Sequence, residues 1–170
     1  MCFLPIRRRI VQRLTSIFAG ALQCKTPDLS GMSWKERLES FGRFTRERTD
    51  SWIRSGKSEP DLHSRLFESA GLLGKEIRTR FRIRSFEDVL RMGRILYRTI
   101  GIDFRGMEDG RIFIRRCFFS VIYSEATCRV VSAFDKGFLY GLSGGMHLQF
   151  SRRITEGASC CEARLAGEGP

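Results

Sequence analysis

Apolar positions recur at three- and four-residue steps through the first hundred residues, and alternate spacing takes over after Gly101. Ile6, Ile10, Leu14, Ile17 and Ala21 make the first stripe, which predicts an amphipathic helix over residues 6–22. Ser33-Trp34-Lys35-Glu36 has capping-box spacing: the serine hydroxyl can accept an early amide hydrogen bond while Glu36 reaches back. The helix it opens is predicted to bury Trp34, Leu38 and Phe41 and to run to about Thr49. Pro60 suits a first helical turn, where its missing N–H has no acceptor to lose, and Leu62, Leu66, Leu73 and Ile77 then form the packing side. Arg78, Arg80, Arg82 and Arg84 alternate with Thr79, Phe81 and Ile83, which on a strand would gather four cations on one face. Ser85-Phe86-Glu87-Asp88 follows as a helix start, so a helix end and linker is expected there instead. Val89, Leu90, Gly93, Leu96 and Ile100 mark the fourth helix.

Beyond it the period becomes two. Ile102–Gly106 and Arg111–Phe118 read as strands around an Asp109-Gly110 turn. Ser124 can cap a helix whose inner stripe holds Cys128, Val131, Phe134 or Asp135, and Phe138, ending at Gly144-Gly145. Met146, Leu148 and Phe150 alternate with polar residues, Glu156-Gly157 turns the chain, and Ser159–Leu165 pairs back. The tail from Gly167 to Pro170 is expected to be disordered. Four helices followed by β-β-α-β-β predict an α+β architecture, an antiparallel sheet with helices packed on one face. The predicted organisation is a basic amphipathic helix over 1–22, a helical part over 33–100 and an α+β part over 101–166, with 33–166 forming one domain.

Charge sharpens this division. The net charge is +11, and residues 1–100 hold 21 basic against 11 acidic side chains while residues 101–170 hold 9 against 8. Twenty-five of the thirty cations are arginine, which suits phosphate recognition but follows equally from codon usage. The arginines are dispersed and no aromatic platform interleaves with them, so nucleic-acid binding is not expected. An amphipathic stripe mostly reports packing, which makes residues 6–22 a docked terminal helix, with weak membrane-surface contact as the alternative. A charge at Arg13 interrupts what would be the apolar core of a secretion signal, and no apolar run spans a bilayer. A cytoplasmic protein with reduced thiols is the expectation.

Candidate chemistry lies in the C-terminal third. Of six cysteines, Cys117, Cys128, Cys160 and Cys161 fall between Arg115 and Leu165. Cys128 and Asp135 are seven residues apart, two helical turns, and share a face. Were Phe134 the inward residue, Asp135 would be a solvated helix charge. Alternation puts Cys161 with Ala163 and Leu165 on the core side and Cys160 outside. Cys117, Cys128, Asp135 and Cys161 can therefore surround one cavity. Buried cysteine is equally common as an inert small hydrophobe. His63 and His147 are isolated and are expected at the surface, and no nucleotide-loop spacing occurs.

Arg116-Cys117, Thr127-Cys128 with Asp135 following, and the run from Arg152 to Cys161 through Thr155 and Gly157 resemble the C-terminal half of the L-2-amino-thiazoline-4-carboxylic acid hydrolase family. That family resembles in turn the 4-vinyl reductase and haem-NO-binding type of small-molecule domain. The resemblance covers about a third of the chain and departs from the family pattern at Phe118 and Ala158. It implies ring opening of a small heterocyclic carboxylate by water. Cys128 or Cys161 would act as nucleophile with Asp135 tuning protonation, or a divalent metal held by Cys117, Cys128, Asp135 and Cys161 would activate the water. Arg116, Arg152 or Arg153 would hold the substrate carboxylate. The alternative on the same scaffold is a non-catalytic small-molecule- or metal-binding sensory module. Cofactor, substrate and oligomeric state are left open by the sequence.

Overall fold

The computed structural model describes residues 4–167, with side chains from Arg7 onward. The expected disorder of residues 168–170 and the predicted packing of Ile6 lie outside what is described. The elements are α1 (Leu4–Ala21), α2 (Trp34–Arg54), α3 (Glu59–Phe81), α4 (Phe86–Thr99), β1 (Ile102–Gly106), β2 (Arg111–Cys117), α5 (Glu125–Ser143), β3 (His147–Arg152) and β4 (Cys161–Ala166). Short 3-10 turns occupy Phe118–Val121 and Ile154–Glu156. The α+β class and the helix-then-sheet order are as expected.

Local chemistry sets the boundaries. Glu36 N–H donates to Ser33 Oγ at 3.4 Å and Ser33 N–H to Glu36 Oε2 at 2.7 Å, closing the capping box of α2. The helix runs five residues past Thr49 because Trp52 is buried and its indole N–H donates to Ser58 O at 3.1 Å, which ties the last turn down. α3 ends where Arg82 adopts a left-handed conformation, so the arginine alternation is a helix end and linker. α1 buries Val11, Leu14, Phe18 and Ala21 against α2 and α3. Its apolar face is thus occupied within the fold, and membrane-surface contact through residues 6–22 would have to use the basic side alone. No helix among the described residues is long and apolar enough to cross a membrane.

The sheet order is β1-β2-β4-β3, every pair antiparallel, so the last strand lies between β2 and β3. Its inner face carries Phe104, Ile112, Ile114, Leu148, Cys161 and Leu165 under the helices, while Arg111, Arg115, Gln149 and Arg164 are exposed on the other. Two register shifts interrupt the ladders. Ile102 pairs with Cys117 but Phe104 with Ile114, so β2 carries one extra residue; Phe150 pairs with Ala163 but Arg152 with Glu162, so β3 does too.

α3 and α5 cross at unusually short range. A Cβ on Gly137 would stand 2.0 Å from Phe67 O, one on Gly141 2.1 Å from Gly71 O, and one on Gly74 2.2 Å from Phe138 O. No side chain larger than hydrogen fits at those three positions without moving a backbone. The crossing holds α5, and with it Cys128 and Asp135, against the helical layer. Thr127 Oγ1 donates to Asp50 Oδ1 at 2.6 Å and fastens the start of α5 to α2.

Candidate functional site

Between the helical layer and the sheet lies a cavity of ≈ 200 Å³. α1 contributes Leu14 and Phe18, α3 Leu73 and Ile77, and α4 Leu96 and Tyr97. α5 contributes Cys128, Val131, Phe134, Asp135 and Phe138; the sheet and its connections add Cys117, Ile154, Thr155 and Cys161. The lining is overwhelmingly apolar and aromatic. Phe134 and Asp135 both face it, because the cavity is wide enough to straddle two adjacent positions of the α5 stripe. Cys117, Cys128, Asp135 and Cys161 all line this one cavity.

Cys117 arrives there through the bulge in β2. Strict alternation from Ile112 and Ile114 would turn Arg116 inward. The extra residue instead leaves Arg115 and Arg116 both exposed and aims Cys117 at the cavity. Cys161 faces inward as alternation requires, and its sulfur accepts Ile154 N–H at 3.4 Å. Cys160 points away, 3.9 Å from Glu162 Oε1. Cys24, Cys117, Cys128, Cys160 and Cys161 are free thiols.

Asp135 is the polar centre of the cavity. Tyr97 Oη donates to its Oδ1 at 2.8 Å, and no second donor reaches the carboxyl among the described residues. Burial pushes the carboxyl up to about 6, against the opposing pull of the Tyr97 hydrogen bond and the positive field of Arg153. The same burial holds the thiols in their neutral form: Cys117 is pushed up to about 12, and Cys128 and Cys161 are raised as well. The Tyr97 phenol is raised well above its ordinary value, by burial first and then by the facing carboxylate.

Nothing in the C-terminal third signalled Tyr97. It belongs to α4, where Val89 and Gly93 of the predicted stripe are buried, Leu96 and Ile100 pack against the core, and Tyr97, which the predicted stripe did not include, is buried one turn beyond Gly93. Gly93 leaves room for Phe104, whose ring would lie 3.2 Å from a Cβ there. Phe104 stacks on Tyr97 at 5.0 Å and 6°, which fixes the phenol over Asp135.

The three arginines expected to clamp a carboxylate do not line the cavity. Arg116 is exposed at the bulge. Arg152, 67% exposed at the β3 shift, pairs with Glu162 at 3.6 Å. Arg153 is 14% exposed and sits behind the wall. Its guanidinium lies 4.7 Å from the Phe150 ring centre, with Nη1 3.4 Å from Glu156 Oε1 and Nη2 donating to Ser132 Oγ at 3.3 Å. It acts on Asp135 and Cys128 through its field. Nor do the four predicted metal ligands form a ligand set: among the described residues no group of three or more His, Cys, Asp or Glu is placed to hold a metal ion. They line the same cavity but come from three separate elements, β2, α5 and β4. Neither His63 nor His147 reaches the lining.

No family model matches the chain, and no curated protein matches it. Among solved structures it is similar to an H-NOX protein from S. oneidensis. A triple mutant of that protein in the Fe(II) ligation state aligns at 13% identity over 96% of this chain and 95% of that one, with a TM-score of 0.45. The Fe(II)NO state aligns at 13% identity over 96% and 98%, with a TM-score of 0.44.

Proposed function

We propose that this protein is a non-catalytic module that binds a small apolar molecule in the cavity between α1, α4, α5 and the sheet. The observation that carries the reading is a concave space of ≈ 200 Å³, walled by aromatic and aliphatic side chains, with one hydrogen-bonded carboxyl. Binding sites for small molecules have this composition: a large apolar area and few polar groups that set orientation. An apolar cavity of about 150 Å³ accepts benzene, so this one has room for one ring with a short arm.

The same geometry favours binding over thiol-based hydrolysis. A thiolate nucleophile needs a depressed pKa, and Cys128 and Cys161 are displaced upward by burial. A substrate carboxylate needs a cation at the wall. Arg13 reaches the lining with both terminal nitrogens engaged by Glu76, and the other candidates lie outside. The residues present do not fit an iron centre of the kind named in the similar structures. No histidine lines the cavity, no group of three or more His, Cys, Asp or Glu among the described residues is placed to hold a metal ion, and Tyr97 is committed to Asp135.

The test is titration with toluene followed by NMR shifts and thermal unfolding. Saturable binding that raises the melting temperature, and that Val131→Phe abolishes by filling the cavity, is the expected result. Absence of saturable binding removes the reading. Ring opening of 2-aminothiazoline-4-carboxylate that is lost in Cys128→Ser would replace it with the hydrolase.

A further inference from the structure

Resting on that reading, we infer that the cavity selects a small apolar molecule bearing one protonated nitrogen, whose N–H groups pair with the carboxylate of Asp135. Two carboxylate oxygens offer about four acceptor sites. Tyr97 fills one, and no ion pair to Asp135 forms among the described residues. Neither nearby cation pairs with it: Arg13 is held by Glu76, and Arg153 by Glu156, Ser132 and the Phe150 ring with its Nε buried and unpartnered, so Arg153 reaches Asp135 only through its field. A carboxylate left facing an apolar space is costly unless something pairs with it. With a pKa of about 6 it is mainly ionised at neutral pH, so the partner it calls for is a cation and not a carbonyl or an acid.

The rings beside it point the same way. Tyr97 and Phe138 meet at 6.1 Å, Phe138 and Phe134 at 6.4 Å, and Phe134 and Phe18 at 5.0 Å, so aromatic surface continues from the carboxyl across the cavity. Aromatic faces attract an ammonium group and give no such preference to a neutral alcohol. Carboxylate and rings together specify an arylalkylamine or short alkylamine of about the volume of one ring with a short arm.

Calorimetric titration of the full chain at pH 7.5 with toluene, benzyl alcohol and benzylamine tests this. These probes share a ring and differ in the group offered to Asp135. Benzylamine, protonated at this pH, is expected to bind at least about tenfold tighter than benzyl alcohol, the ratio a charge-assisted hydrogen bond supports. Asp135→Asn should erase that margin while leaving toluene affinity within about twofold, which also shows that the variant keeps its cavity. Toluene binding without an amine preference overturns the inference and leaves the cavity reading standing; failure of all three probes overturns both.

A second measurement needs no variant. Between pH 7.5 and pH 5 benzylamine affinity should fall about tenfold, and that of toluene should hold, as Asp135 takes up its proton. The other groups around the carboxyl are Tyr97 from α4, Cys117 from β2, Tyr123 before α5, Cys128 from α5, Cys161 from β4, Arg153 before β4 and Arg13 from α1. The thiols and both phenols are displaced upward and a guanidinium does not lose its proton in a protein, so Asp135 is the group that titrates in that interval. Flat amine affinity across the range overturns the inference.

Discussion

Replacing Asp135 by asparagine should stabilise the protein at neutral pH, and by an amount that depends on pH in a calculable way. Folding lifts the carboxyl from its ordinary 3.8 to about 6, chiefly by burial. A raised carboxyl binds its proton more tightly folded than unfolded. Its contribution to stability is therefore fully present below the unfolded value and is lost as pH rises through about 6. At pH 8 the wild type carries the full penalty of an ionised, enclosed carboxylate, about 3 kcal/mol for a displacement of about two pH units. Asparagine has no such penalty, and its amide oxygen can still accept the Tyr97 hydroxyl. The variant should thus exceed the wild type by about 3 kcal/mol at pH 8, by roughly half of that at pH 5, and by only a small remainder at pH 4. Urea unfolding of both proteins at the three pH values measures the gap directly, since every other titrating group cancels between them. Equal stability at pH 8, or a gap that does not close on acidification, would refute the assignment of Asp135 as an enclosed carboxylate.

Other consequences can be checked with the same material. Tyr97→Phe removes the one hydrogen bond to the charged form of Asp135, so the carboxyl should titrate above about 6 by carbon-detected NMR, with a stability loss of about 1–3 kcal/mol. Gly137→Ala places a methyl 2.0 Å from Phe67 O, and the forced separation of α3 and α5 should cost about 3 kcal/mol or more in urea unfolding. Gly20→Ala, where nothing lies within 4 Å, should cost nothing and serves as its control. Cys117, pushed up to about 12, should be the slowest of the described thiols to react with iodoacetamide at pH 7.5, read by peptide mass spectrometry.

The elements were legible in the sequence because each rests on contacts close along the chain. The capping box at Ser33 and Glu36, the helix starts at Ser85 and Ser124, and the turn at Asp109-Gly110 are satisfied by neighbours three or four residues away. Strand alternation likewise gave Cys161 its inward face, since a two-residue period needs only a known core side. Seven-residue spacing placed Cys128 and Asp135 on one helical face, and the structure sets both on the cavity.

What surrounds those residues was decided by tertiary packing. Cys117 in place of Arg116 faces the cavity because a bulge shifts the β2 register, and a bulge has no local signature in this stretch. Tyr97 meets Asp135 across 38 positions of sequence, brought there by a glycine that admits Phe104. The protonation states follow from the same cause. Whether a thiol is a nucleophile or a neutral wall group, and whether a carboxyl ionises freely or only with a partner, depends on how much protein closes around it, and enclosure is a property of the assembled layers that no run of residues carries alone.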